Sequence, residues 1–183
     1  KAASILCLCF VLVMLFSVTA SAAKPYQTYT YSADPPSSTY AQYSPDAYTP
    51  LMVIDSTYMG LETPISDPRD IFVDDRMNVY IADAKNNRII VLDRYYKIKF
   101  IISKFINEFG IDDEFTSPSG VFVTKDTIYV CDTDANRIVT FDRSGNYKKI
   151  IPQPESNLFE NDAVYKPIAV AVDQYGRIFV VSS

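Results

Sequence analysis

The chain has 183 residues, 48% of them hydrophobic, with 14 tyrosines and neither histidine nor tryptophan. That is enough apolar content for one domain with its own core. Its 22 acidic residues outnumber 17 basic ones. Phosphate binding rests on clustered Lys and Arg, so no nucleic-acid partner is expected. Without histidine, no Ser-His or Cys-His catalytic pair can be assembled from these residues.

Lys1 is followed by an uncharged run over residues 2–23, densest between Ile5 and Phe16 and closing on "TASAA". A short apolar core ending in small residues reads as a secretory signal peptide over residues 1–22, cleaved after Ala22. An uncleaved membrane anchor is the alternative, since about 20 apolar residues can span a bilayer. The expected location is secreted or extracytoplasmic, with membrane attachment only if this segment is retained. Cys7 and Cys9 would leave with it. Cys131 then stands alone in a strand pattern, where a small buried apolar role fits better than a disulfide framework. Losing Lys1 leaves 16 basic residues (17 less one) against 22 acidic, a net charge of −6.

Residues 23–60 form a lead segment whose first part, up to Pro50, is rich in Tyr, Pro, Ser and Thr and nearly free of aliphatics. Such a composition cannot build its own core and is expected to lie extended. Alternation in "YQTYTYS" predicts a short strand with Tyr29 and Tyr31 on one face. A linker, a strand laid against the following domain and a carbohydrate-stacking platform are its open roles. Apolar content resumes at "LMVIDSTYM", residues 51–59.

From residue 61 the chain is repetitive. "ADAKNNRIIVLDRYYK" (82–97) returns as "CDTDANRIVTFDRSGN" (131–146), 49 residues later. The units run over 68–102, 118–151 and 167–183, the last truncated. Each opens on a proline, Pro68, Pro118 or Pro167, a period that fits propeller or solenoid units. Runs such as "DIFV", "NVYIA", "RIIVL" and "KIKFII" are short and rich in β-branched and aromatic types. Asp, Asn and Gly fill the turns between them. Four short strands, repeated, describe the blade of a β-propeller, so the expected fold is all-β with four-stranded antiparallel blades. Two and a half blades cannot close a ring of 4–8. The chain starts without Met and stops on "RIFVVSS" with no turn signal, so it is read as a piece of a longer protein with further units.

The repeat resembles the NHL family of propeller repeats, over roughly residues 68–183. The marks are the opening prolines, Asp74 and Asp173 at a strand end, Asp83 and Asp132, the Asn87-Arg88 and Asn136-Arg137 pairs, and Asp93 and Asp142. Thr124 and Ser182 stand where the pattern has Asp. The resemblance implies a propeller and leaves activity open, since such propellers include scaffolds, receptors, sensors and a few enzymes.

The repeated polar residues have a structural explanation of their own. Asp83 and Asp132 end a strand where the chain reverses, and a carboxylate there can accept from nearby backbone N–H groups. Asn87 and Asn136 suit a left-handed turn position. Arg88 and Arg137 can pair with a carboxylate of the same or the adjacent blade. No catalytic, cofactor-binding or metal residue is assigned.

The connectors at 103–117 and 152–166 are the candidate ligand-face loops, expected to cross one face of the ring. Asp112, Asp113, Glu114, Glu160 and Asp162 make them acidic. They lack a recognisable calcium-loop spacing, and calcium is held open only as a possible cofactor. Phe109 and Phe115 are expected to pin the first connector onto the core. The main functional expectation is an extracytoplasmic scaffold binding a protein, peptide or carbohydrate. The alternative is a metal (calcium)-dependent propeller enzyme of the lactonase or lyase type.

Overall fold

The computed structural model describes residues 29–34, 38–43, 52–155 and 164–183, in two compact units, Lys1–Val53 and Ile54–Ser183. The signal segment, Cys7, Cys9, Glu160 and Asp162 lie outside the described residues. In the first unit, β1 (Tyr29–Asp34) pairs antiparallel with β2 (Ser38–Tyr43), with Tyr29 opposite Tyr43.

The second unit opens with α1 (Ser56–Met59), a single turn. Asp55 caps it, its carboxylate accepting from Tyr58 N at 2.7 Å, and Gly60 ends it in the left-handed region. Two four-stranded antiparallel sheets follow. Blade 1 is β3 (Pro68–Val73), β4 (Val79–Asp83), β5 (Arg88–Leu92) and β6 (Ile98–Ile102), side by side in chain order. The connector then forms a small hairpin, β7 (Lys104–Ile106) with β8 (Asp112–Glu114). Blade 2 repeats the order with β9 (Pro118–Val123), β10 (Ile128–Asp132), β11 (Arg137–Phe141) and β12 (Tyr147–Ile151). Half of blade 3 closes the chain, β13 (Pro167–Val172) against β14 (Ile178–Ser182). Among the described residues no helix is long and apolar enough to cross a membrane.

The tight turns share one device. At Asp93, Asp142 and Asp173 a carboxylate oxygen accepts from the amides two and four residues on, at 2.8–3.0 Å. Asp74 does the same with Arg76 and Asn78. Each such turn needs a positive φ three residues after the aspartate, at Met77, Tyr96, Gly145 and Gly176. The side chain thereby replaces backbone partners that the turn cannot supply. In blade 2, Thr124 takes the Asp74 place, and its hydroxyl accepts from Thr127 N in a turn one residue shorter.

Alternation along the strands gives each blade two apolar faces. The face of blade 1 carrying Tyr80, Ala82, Ile89 and Val91 meets the face of blade 2 carrying Val121, Val130, Val139 and Phe141. Connector residues Phe105 and Phe115 fill the outer part of that seam, their rings 5.5 Å apart. The other face of blade 2, with Cys131 and Ile138, packs on Val170 and Val180 of blade 3. The inner strands β3, β9 and β13 lie next to one another across these seams. Gly120 marks a close approach: a Cβ there would sit 2.6 Å from the Ile168 carbonyl oxygen and 3.2 Å from Cys131 Sγ. The fold is thus an incomplete β-propeller, two blades and half of a third.

Candidate functional site

The repeated Asp and Arg residues converge on the connectors, where the chain enters a new blade. Asp83 is fully buried at the end of β4. One oxygen accepts from Ser66 N at 2.8 Å; the other accepts from Arg88 Nε at 2.7 Å. Asn86 Nδ2 donates to the same carboxylate and to the Pro64 carbonyl, and Arg88 reaches the Thr63 carbonyl at 2.7 Å. Asp132 repeats this in blade 2, accepting from Thr116 N at 2.6 Å and Arg137 Nε at 2.9 Å. Arg137 also forms a two-pronged pair with Asp113, both bonds at 2.8 Å, and donates to the Glu114 carbonyl. Buried carboxylate and arginine together staple the incoming connector to the blade that it enters.

In the third unit Ser182 occupies the corresponding place. Its hydroxyl accepts from Lys166 N at 2.9 Å, so a connector bond persists one residue later in the chain.

A second set of bonds runs between blades. Asn87 adopts the left-handed conformation, φ 49°, and its side-chain oxygen accepts from Ser117 N at 2.9 Å, just ahead of blade 2. Asn136 is also left-handed, φ 55°. Asp70 on β3 accepts from Val121 N on β9 at 2.8 Å. On the opposite side, Arg143 of blade 2 pairs with Asp74 of blade 1 and donates to the Thr124 carbonyl at 2.7 Å. Asp74 also accepts from Asn78 and from the Tyr80 hydroxyl.

The electrostatics follow these contacts. Arg137 hydrogen bonds hold Asp113 below the usual carboxylate range. Burial pushes Asp132 up, against the pull of the Thr116 amide and Arg137. Asp113 in turn raises Arg137, which stays charged. At Asp74 burial pushes upward but the bonds from Asn78 and Arg76 outweigh it, leaving the group lowered. Burial lifts the Cys131 thiol to about 12, and its side chain is fully enclosed.

Of the acidic connector residues, Asp113 is therefore occupied by Arg137. Asp112 is exposed, and Glu114 is exposed with Lys104 Nζ 4.0 Å away. Among the described residues no group of three or more His, Cys, Asp or Glu side chains is placed to hold a metal ion.

Two connector features differ from expectation. Phe115 is buried, but Phe109 is not an anchor: it is 76% exposed at the tip of the β7–β8 hairpin. Phe105 takes the anchoring place, packed on Phe115, Phe141 and Tyr147. The reason is the hairpin itself, which sequence reading missed because each arm is only three residues long. Alternation puts Phe105 inward and Ile106 outward. Asn107 builds the turn, its side-chain oxygen accepting from Phe109 N at 3.0 Å and Ile111 N at 3.2 Å, with Gly110 at φ +74°. The turn signal was present in "INEFGI", where Asn and Gly bracket the reversal.

Fold and site together define an all-β repeat protein of β-propeller architecture, its repeated aspartates and arginines engaged in turns, connector staples and seams. No family model and no curated protein matches the chain. Among solved structures it is similar to a streptogramin B lyase, at 20% identity and a TM-score of 0.45. It is also similar to a catalytically inactive virginiamycin B lyase from Staphylococcus aureus with quinupristin, at 19% identity and a TM-score of 0.44. Both alignments cover 67% of this chain and 36% of the other, so the chain spans about a third of the length of those proteins.

Proposed function

We propose that the protein is an extracytoplasmic propeller of the NHL type that acts as a binding scaffold for a protein, peptide or glycan. The observation that carries this reading is the β7–β8 hairpin. Phe105 and the Arg137–Asp113 pair fix its base, while its tip holds Ile106, Phe109 and Ile111 in water. Large apolar side chains held exposed by a rigid turn supply contact area at little ordering cost. The flanking acids Glu108 and Asp112 favour a partner with a basic rim.

Peptide and glycan arrays probed with the full chain test the scaffold. Ligands whose signal falls for a Phe109→Ser, Ile111→Ser variant of unchanged melting temperature support it. Arrays blank for both proteins argue against it. The acidic connectors also raise the competing reading, a calcium-dependent enzyme, and calcium alone separates the two. The scaffold reading expects no shift in melting temperature on adding calcium, whereas a shift of several degrees favours the enzyme.

A further inference from the structure

Arg88 and Arg137 hold the same place in successive blades, yet their guanidinium groups are not equally engaged. In both, Nε donates to the buried aspartate at the end of the preceding strand, Asp83 or Asp132. In blade 2 the two outer nitrogens grip Asp113 in a two-pronged pair, and one of them also reaches the Glu114 carbonyl. In blade 1 the connector brings no such carboxylate. Thr63 stands five residues before Pro68, where Asp113 stands five before Pro118. Arg88 Nη2 reaches the Thr63 carbonyl at 2.7 Å, and Nη1 has no partner among the described residues. The difference lies within the connector, which is described from residue 52 onward. Its other acids are placed elsewhere: Asp55 caps α1, Asp67 pairs with Arg69, and Glu62 forms no ion pair with Arg88.

Arg88 lines a cavity of about 280 Å³ whose apolar wall is Leu61, Ile98 and Ile101, with Glu62 and Thr63 beside them. Leu61 and Ile98 pack against Met59, Ile90 and Leu92, so that wall is held by the blade itself.

We propose that this cavity binds a small monocarboxylate with an apolar body, its carboxylate taking on Arg88 the place that Asp113 takes on Arg137. A guanidinium presents paired N–H donors that match the two oxygens of a carboxylate. The Arg88 side chain is 12% exposed, and shielding from water strengthens a charge-assisted bond made there. Leu61, Ile98 and Ile101 favour an apolar body over a hydroxylated one. Glu62 on the same wall repels a second negative charge, which sets a monocarboxylate above a dicarboxylate. The site uses none of the residues of the β7–β8 hairpin and stands whether or not the hairpin tip binds a partner.

Hexanoate added to the isotope-labelled full chain tests the site by nuclear magnetic resonance. The backbone amides of residues 61–63 and the Arg88 Nε–H should shift together and saturate, with a Kd on the order of 1 mM for so small a ligand. Hexanamide has the same shape without the charge, and glucuronate has the charge on a hydroxylated ring; each should bind at least about 10-fold more weakly. Arg88→Met would strip the buried Asp83 of its cation and unsettle the fold, so Thr63→Asp is the variant of choice. It supplies the carboxylate from within, as blade 2 does, at an exposed position. The melting temperature should rise, and hexanoate should bind at least about 10-fold more weakly. The proposal is overturned if hexanoate gives no saturable shift, or if hexanamide or glucuronate binds as tightly. Undiminished hexanoate binding by a folded Thr63→Asp chain overturns it too.

Discussion

Arg137→Met isolates the connector staple in a single change. Methionine keeps much of the stem volume that lies along the Phe105 ring, whose centroid is 5.8 Å from the guanidinium carbon. What goes is the charge that faces Asp132, a carboxylate with no exposure, left with the Thr116 amide as its remaining donor. Asp113, at 18% side-chain exposure, can turn to water at small cost. Removing one member of a buried pair costs about 3–5 kcal/mol, and most of that penalty belongs to Asp132 here. Urea unfolding should show the midpoint falling with an unchanged slope. Two further readouts separate this cause from general damage. Adding Asp132→Asn to Arg137→Met should recover more than half of the loss, because no buried charge remains. The pH dependence should also change in a defined direction. Burial already raises Asp132, and without Arg137 its folded pKa rises further above the unfolded value. A raised folded pKa favours the protonated folded state, so the variant should gain stability as pH falls from neutral and lose it as pH rises. A loss under about 1 kcal/mol that is independent of pH would refute the staple.

Three other outcomes follow from the same contacts. Gly120→Ala should cost about 1–3 kcal/mol through overlap with the Ile168 carbonyl, with hydrogen exchange quickening over 167–182 more than over 68–102. Asn87→Ala loses both a tolerated left-handed residue and the acceptor for Ser117 N, about 1–2 kcal/mol in a melting assay, while Asn87→Gly should lose less. The lowered pKa of Asp113 gives a stabilising term that is whole above the ordinary carboxylate value and is lost as pH falls through the folded value. Asp113→Asn should therefore lower the melting temperature at pH 7 and flatten its decline below about pH 4.

Much of the fold was legible because one packing problem recurs. Every seam needs the same alternation, so Ile89 and Val91 in one blade answer to Ile138 and Thr140 in the next. Every turn needs a donor sink, so Asp93 and Asp142 recur. The staple was half legible. Asp83 was expected to accept from its own turn, whereas it takes the connector amide Ser66, a partner 17 residues away that no local pattern encodes. Asp113 read as a ligand-face acid and is the third member of a triad with Arg137 and Asp132, hidden because Arg137 lies 24 residues on. Phe109 and Phe105 could not be told apart by type. Phe105 lies on the inward side of the three-residue β7 and Phe109 in the turn beyond it, and the place of that short strand decides which is buried. Ile54, Leu61 and Ile65 pack on the outer part of blade 1, a role that was hidden because, counted back from Pro68 and Pro118, that connector shares only Gly60 with Gly110 of the next.

Amide hydrogen exchange at Thr116, Ser117 and Val121 tests most directly whether side chains from elsewhere in the repeats lock connector and blades together. These amides donate to Asp132, Asn87 and Asp70 respectively, two of them across a seam. The account predicts protection close to that of the central strands β10 and β11, with Val121 alone released by Asp70→Ala. Exchange at all three near the rate of an unstructured peptide, with β10 and β11 still protected, would contradict it.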